Sequence, residues 1–189
     1  KDFLIPPQFE DEEVTHQAYL LHVILWGLIL VPIPYVLYFV LFLPEESTRA
    51  ILQSAVGEAV NIFLLILLRL GYVRAASMAQ IAAFWLFFTI SAYTDLGVQG
   101  ESYLLGYPLV IVIAGVLQGG PSALGVTIIS LAAGMLMIYA ESQGLIETRA
   151  NRSSITSWIL SLAIFPMGAI LQYLASNTVR KALKRAHTS

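Results

Sequence analysis

The sequence predicts an all-α, polytopic membrane protein, a bundle of six transmembrane helices, and three observations predict it. Hydrophobic residues make up 58% of the 189-residue chain and charged residues only 12%, about half of the roughly 25% charge that a soluble domain carries. Mean hydropathy is +0.77. The remaining charges sit in short stretches between long apolar runs, the pattern of a chain whose solvent is mostly lipid.

A spanning helix needs about 20 mostly apolar residues, because each adds about 1.5 Å across a hydrocarbon core about 30 Å thick. Residues 1–18 read as a cytoplasmic amphipathic segment that leads into a first span over Tyr19–Leu43. Pro32 and Pro34 lie inside that span and should bend it. Glu45, Glu46 and Arg49 form a polar turn, and the second span follows over Ile51–Leu70. Arg69-Leu-Gly-Tyr-Val-Arg74 reads as a tight basic turn into the third span, Ala75–Tyr93, which is dense in aromatics at Phe84, Trp85, Phe87 and Phe88. These four rings are expected to face lipid or the core.

After a polar loop from Thr94 to Ser102, a short fourth span covers Tyr103–Gln118, with Pro108 in its first turns. Gly119-Gly-Pro121 breaks the chain, and Pro121 suits the first turn of a new helix. The fifth span runs from Pro121 to Ala140, a hydrophilic loop covers Glu141–Ser153, and the sixth runs over Ile155–Ala175. Residues 176–189 continue it as a basic cytoplasmic output helix or linker. Val179, Leu183 and Ala186 form an apolar stripe there beside Arg180, Lys181, Lys184 and Arg185. The chain opens on Lys1 and closes on a basic stretch, so it reads as a fragment of a longer protein.

Basic residues set orientation. With the N-terminus inside, the cytoplasmic segments hold Lys1, Arg69, Arg74, Arg180, Lys181, Lys184 and Arg185, whereas the outer loops hold Arg49, Arg149 and Arg152. The imbalance predicts an N-in, C-in topology.

Candidate functional residues are few. Glu58 is an acid well inside a span, with Asn61 close by on the same helix. A carboxylate at that depth is costly and marks either a function or a hydrogen-bonded lock between helices. As a functional group it could meet a ligand or act as a protonation switch. Tyr93, Asp95, Glu101, Tyr103, Tyr107, Tyr139, Glu141 and Trp158 fall near the same outer surface and could floor and rim a pocket for a small aromatic, cationic or amphiphilic ligand. The alternative is an interfacial aromatic belt with solvated loop acids. Gln80, Gln118 and Gln172 are expected to bond between helices or at the interface. Gly115 with Gly119, and Ala55 with Ala59, have the spacing of close helix contacts.

Several functions are excluded. With no cysteine there is no thiolate site or disulfide. His16 and His22 are on different sides of a helix, and His187 is in the tail, so neither metal nor any cofactor is implied. No HExxH, GxSxG or phosphate-binding loop occurs, so no enzyme is predicted. A net charge of -2, without a basic patch among aromatics, gives no case for nucleic acid.

Phe3-Leu-Ile-Pro-Pro-Gln-Phe-Glu-Asp-Glu-Glu13, followed by Gln17-Ala-Tyr-Leu-Leu-His22, resembles the segment that leads into multi-pass sensory domains of bacteria. These precede histidine-kinase or diguanylate-cyclase modules, notably in Chloroflexi-like sequences. Gly119-Gly-Pro-Ser-Ala-Leu-Gly125 and Tyr139-Ala-Glu-Ser-Gln-Gly-Leu145 are similar to the turns of that group, and the layout is similar to the membrane anchors of class III adenylyl cyclases. The resemblance implies a receptor-like sensor or anchor domain of a signal-transduction protein, including two-component systems. It would lie in the bacterial inner membrane, in contact with the lipid bilayer and as a homodimer through its sixth helix. The alternative from another class is a small solute-binding membrane subunit, similar in size and span count to the substrate-binding components of energy-coupling-factor transporters.

Overall fold

The computed structural model describes the backbone of residues 5–42, 44–146 and 154–187, and within these all side chains except those of 46, 49, 171 and 173–187. Among the described residues every regular element is helical. In chain order these are α1 (Glu12–Leu30), α2 (Pro32–Phe42), α3 (Pro44–Arg69), α4 (Val73–Thr94), a 3₁₀ turn (Gly97–Gln99), a π turn (Ser102–Gly106), α5 (Tyr107–Gln118), α6 (Gly120–Ser142) and α7 (Ser154–His187). Four segments are long and apolar enough to cross a membrane: Glu12–Phe42, Ala50–Arg69, Val73–Thr94 and Gly120–Ser142. Two shorter apolar helices, Ser102–Gln118 and Ser154–Ile170, accompany them. Lys1, Arg149 and Arg152 lie outside the described residues, as do the side chains of Arg49, Val179, Arg180, Lys181, Leu183, Lys184, Arg185 and Ala186.

The chain divides into two compact units, Lys1–Gln80 and Ile81–Ser189. In the first, α1 starts seven residues before the apolar run, at Glu12 rather than Tyr19. The reason is a cap: the Asp11 carboxylate accepts from the Glu13 amide at 2.8 Å and the Val14 amide at 3.4 Å. Glu12 and Glu13 in the first turn complement the helix dipole. Thr15 adds a clasp, its hydroxyl accepting from the Phe9 amide and donating to the Phe9 carbonyl. Helix α1 gives way to α2 at Val31, because Pro32 and Pro34 have no N–H to offer the Leu28 and Leu30 carbonyls. Both helices pack on α3. Helix α3 closes on Gly71, whose φ of 89° is a left-handed conformation that glycine adopts without strain. The Tyr72 amide reaches the Leu67 carbonyl and the Gly71 amide that of Leu68, capping the last turn. There Arg69 donates to the Ile5 carbonyl at 2.6 Å.

In the second unit α5, α6 and α7 pack on one another, and the 3₁₀ turn lies against α6 and α7. Gly119 makes the α5–α6 turn with φ 88° and ψ -179°, and Pro121 follows in the first turn of α6. Pro108 cannot donate to Leu104, and the chain enters α5 through a wider π turn just before it.

Polar side chains share an apolar interior, and large apolar side chains cover much of the outside. Ser130, Ser157, Ser161, Thr127, Asn61 and Gln80 are buried, whereas Ile33, Leu37, Leu41, Phe42, Ile128 and Leu136 are exposed. Helix α2 has no buried residue at all. Surface of this kind is stable in lipid rather than in water.

Candidate functional site

The second unit has a polar-aromatic centre. The π turn and the start of α5 carry Tyr103 and Tyr107 on one face, both 0% exposed, and α7 brings Phe165 against them. The two tyrosine rings meet edge to face at 5.0 Å, and Phe165 lies 5.5 Å from Tyr103 and 6.0 Å from Tyr107. Trp85 of α4 stacks on the far side of Tyr107 at 6.1 Å.

The hydroxyls have a defined direction. Ser161 spends its proton on the Trp158 carbonyl at 2.7 Å, so the bond of 3.1 Å between Tyr103 and Ser161 has the tyrosine as donor. Thr89 likewise donates to the Trp85 carbonyl at 2.7 Å, so Tyr107 donates to Thr89 at 2.8 Å. Each tyrosine thus fastens α5 or its entry turn to a hydroxyl on a neighbouring helix. The indoles do the same for α6: Trp85 donates to Ser130 and Trp158 to the Leu131 carbonyl, each at 3.1 Å. Gln99 in the 3₁₀ turn donates to Ser154 at 2.7 Å, two turns of α7 before Ser161.

Glycines set how closely these parts approach. A Cβ on Gly134 would overlap the Tyr103 hydroxyl and the Trp158 ring, and one on Gly106 would overlap Phe88. Gly115, whose spacing with Gly119 marked a helix contact, receives the Gln172 side chain in the same way.

The ten candidate residues therefore do not share one environment. Tyr103, Tyr107 and Trp158 converge in the centre just described. Tyr93, Asp95 and Glu101 are exposed at the ends of α4 and the π turn, as is Tyr139 at the end of α6, and Glu141 is half-buried. Glu58 and Asn61 belong to the first unit, where Asn61 is buried. Glu58 is half-buried in an open groove of about 430 Å³ lined by Pro32, Ile33, Val36, Leu37, Val40, Ser54 and Ala55. Among the described residues no hydrogen bond or ion pair engages its carboxylate.

Gln118 accepts from Ser122 at 3.4 Å, and Gln80 is fully buried with both amide atoms unbonded among the described residues. Sequence reasoning passed over Gln99, Ser154 and Ser161. A signal existed: Ser154, Ser157 and Ser161 recur at three- and four-residue spacing, all buried on one face of α7, as small polar residues do at helix contacts in lipid.

Comparison of the chain with protein-family models, with curated proteins and with solved structures finds no match.

Proposed function

We propose that this chain is a six-span sensor or anchor domain of a bacterial signalling protein in the inner membrane. Both ends face the cytoplasm, and a conformational bias in the bundle passes to a cytoplasmic kinase or cyclase module through α7. Ser102–Gln118 and Ser154–Ile170 serve as the fourth and sixth spans, beside the four longer ones.

The observation that carries this reading is the length and anchoring of α7. Its 34 residues rise about 50 Å, roughly 20 Å more than a hydrocarbon core. The part before Pro166 is bonded to the Gly97–Tyr107 region at Ser154 and Ser161 and packed on it at Phe165. The part beyond carries Arg180, Lys181, Lys184 and Arg185, which suit a cytoplasmic membrane face. One helix thus links the loop between α4 and α5 to the opposite side of the bundle. A stimulus acts by favouring one of two bundle arrangements over the other, and pairing of α7 between two copies carries the choice outward.

Two measurements test this. Reporter fusions or cysteine labelling should place Glu46, Val98 and Thr148 outside and Tyr72 and Gly120 inside; a cytoplasmic Val98 removes the six-span arrangement. Intersubunit cysteine crosslinks in membranes should be strong at Val179, Leu183 and Ala186 and weak at Lys181 and Arg185. Uniform crosslinking along the helix removes the paired output element.

A further inference from the structure

The groove of the first unit is apolar except for Ser54 and Glu58. One wall is α2, whose Pro32, Ile33, Val36, Leu37 and Val40 are all apolar; the other is α3, which contributes Ser54, Ala55 and Glu58. Glu58 lies about 12 Å of helix rise beyond Ala50 and about 17 Å before Arg69, so its depth is far from either headgroup layer. A carboxylate there without a partner is costly. Among the described residues that line the groove, none offers it a cation or an N–H side chain. Pro32 and Pro34 add to the surplus of acceptors, since they leave the Leu28 and Leu30 carbonyls without their helical donors.

A second copy of this chain supplies no Lys or Arg at that depth. The six apolar runs carry no Lys or Arg between Tyr19 and Leu43, Ile51 and Leu68, Ala75 and Tyr93, Tyr103 and Gln118, Pro121 and Ala140, or Ile155 and Ala175. The complement of a long apolar slot with one acid is an apolar chain with one basic nitrogen.

We propose that this groove binds a membrane-partitioned long-chain amine, its tail along α2 and its nitrogen on Glu58. The amine reaches that depth in its neutral form. The carboxyl proton then moves to the nitrogen across their hydrogen bond, giving an ammonium–carboxylate pair, so no net charge is carried into the lipid. The groove is open, at about 430 Å³, and takes the ligand laterally from the bilayer. The ligand lies along the α2–α3 pair, starting beside Pro32 at the α1–α2 junction. This deepens the sensor reading by naming a class of stimulus, and it rests on the membrane-spanning assignment of α2 and α3.

The probe is dodecylamine carrying a tail diazirine, on the 189-residue chain in phosphatidylcholine vesicles, which lack anionic headgroups that would attract any ammonium. Photolabel is expected on peptides covering residues 32–42 and 51–58. Unlabelled dodecylamine should compete about tenfold or more better than dodecanol of the same length, the ratio expected of a charge-assisted over a neutral hydrogen bond. Glu58→Gln should erase that preference while leaving helicity by circular dichroism unchanged, and Glu58→Asp should retain part of it. Equal competition by amine and alcohol, a preference that survives Glu58→Gln, or label confined to other peptides would each overturn the proposal. Cysteine labelling at Glu46 and Tyr72 in the same vesicles separates the two levels. If the map holds and the amine preference is absent, only the ligand assignment falls; if the map fails, the membrane reading and the ligand fall together.

Discussion

The two units of this chain solve burial in opposite ways. In the first, α2 turns every apolar side chain outward or into a half-open groove, and Glu58 sits in that groove without a described partner. In the second, the polar atoms of Tyr103, Tyr107, Trp85 and Trp158 are directed at named acceptors on adjacent helices, and glycines let the rings close on them. Helices in lipid gain little from apolar burial as such, because lipid tails are equally apolar; close packing and hydrogen bonds between helices do the holding. By that criterion the second unit is the rigid part and the first is the part with contacts still to make.

The sharpest test removes a ring from each. Tyr103→Ala should cost about 3 kcal/mol or more, since it empties a site closed by Tyr107, Phe165 and Gly134. Tyr38→Ala in α2, where the ring is half exposed, should stay within about 0.5 kcal/mol. Unfolding by sodium dodecyl sulfate in mixed micelles reads both, and equal losses would erase the contrast between the units. Glycines give a second pair. Gly134→Ala should cost about 1–3 kcal/mol by overpacking, whereas Gly57→Ala meets nothing within 4 Å and should be neutral or gain up to about 1 kcal/mol of helix propensity. A smaller effect is expected of Tyr107→Phe, about 0.5–1.5 kcal/mol, because Thr89 keeps its bond to the Trp85 carbonyl.

Helix class, the proline break and the glycine turns were legible in the sequence because each rests on a local rule: hydropathy over about 20 residues, the missing N–H of proline, the left-handed freedom of glycine. The start of α1 was legible in principle, since Asp11 before Glu12 and Glu13 is a capping signal. The centre around Tyr103 and Tyr107 was legible only as a set of aromatic residues near one surface. Whether a tyrosine rims a membrane or fills a bundle depends on which helices meet, and α5 enters through a π turn that no hydropathy pattern announces. The serine stripe on α7 was within reach, because in a lipid-facing sequence polar spacing marks the inner face as apolar spacing does in water.

The smallest expected effect bears on the first unit and decides how its acid is held. Glu58→Gln should leave stability within about 0.5 kcal/mol and the topology unchanged. The reason is geometric: no described residue donates to this carboxylate or pairs with it, so a neutral amide of nearly the same shape removes no bond. Where a buried ion pair is broken by loss of one partner, about 3–5 kcal/mol is lost, because the other charge is stranded. The two outcomes are thus well separated in the same micelle assay. A large loss in Glu58→Gln would mean that Glu58 is tied to another group, and the first unit would then be as closed as the second. A neutral result leaves the acid free for a ligand, and the difference between the units stands on both sides of the comparison.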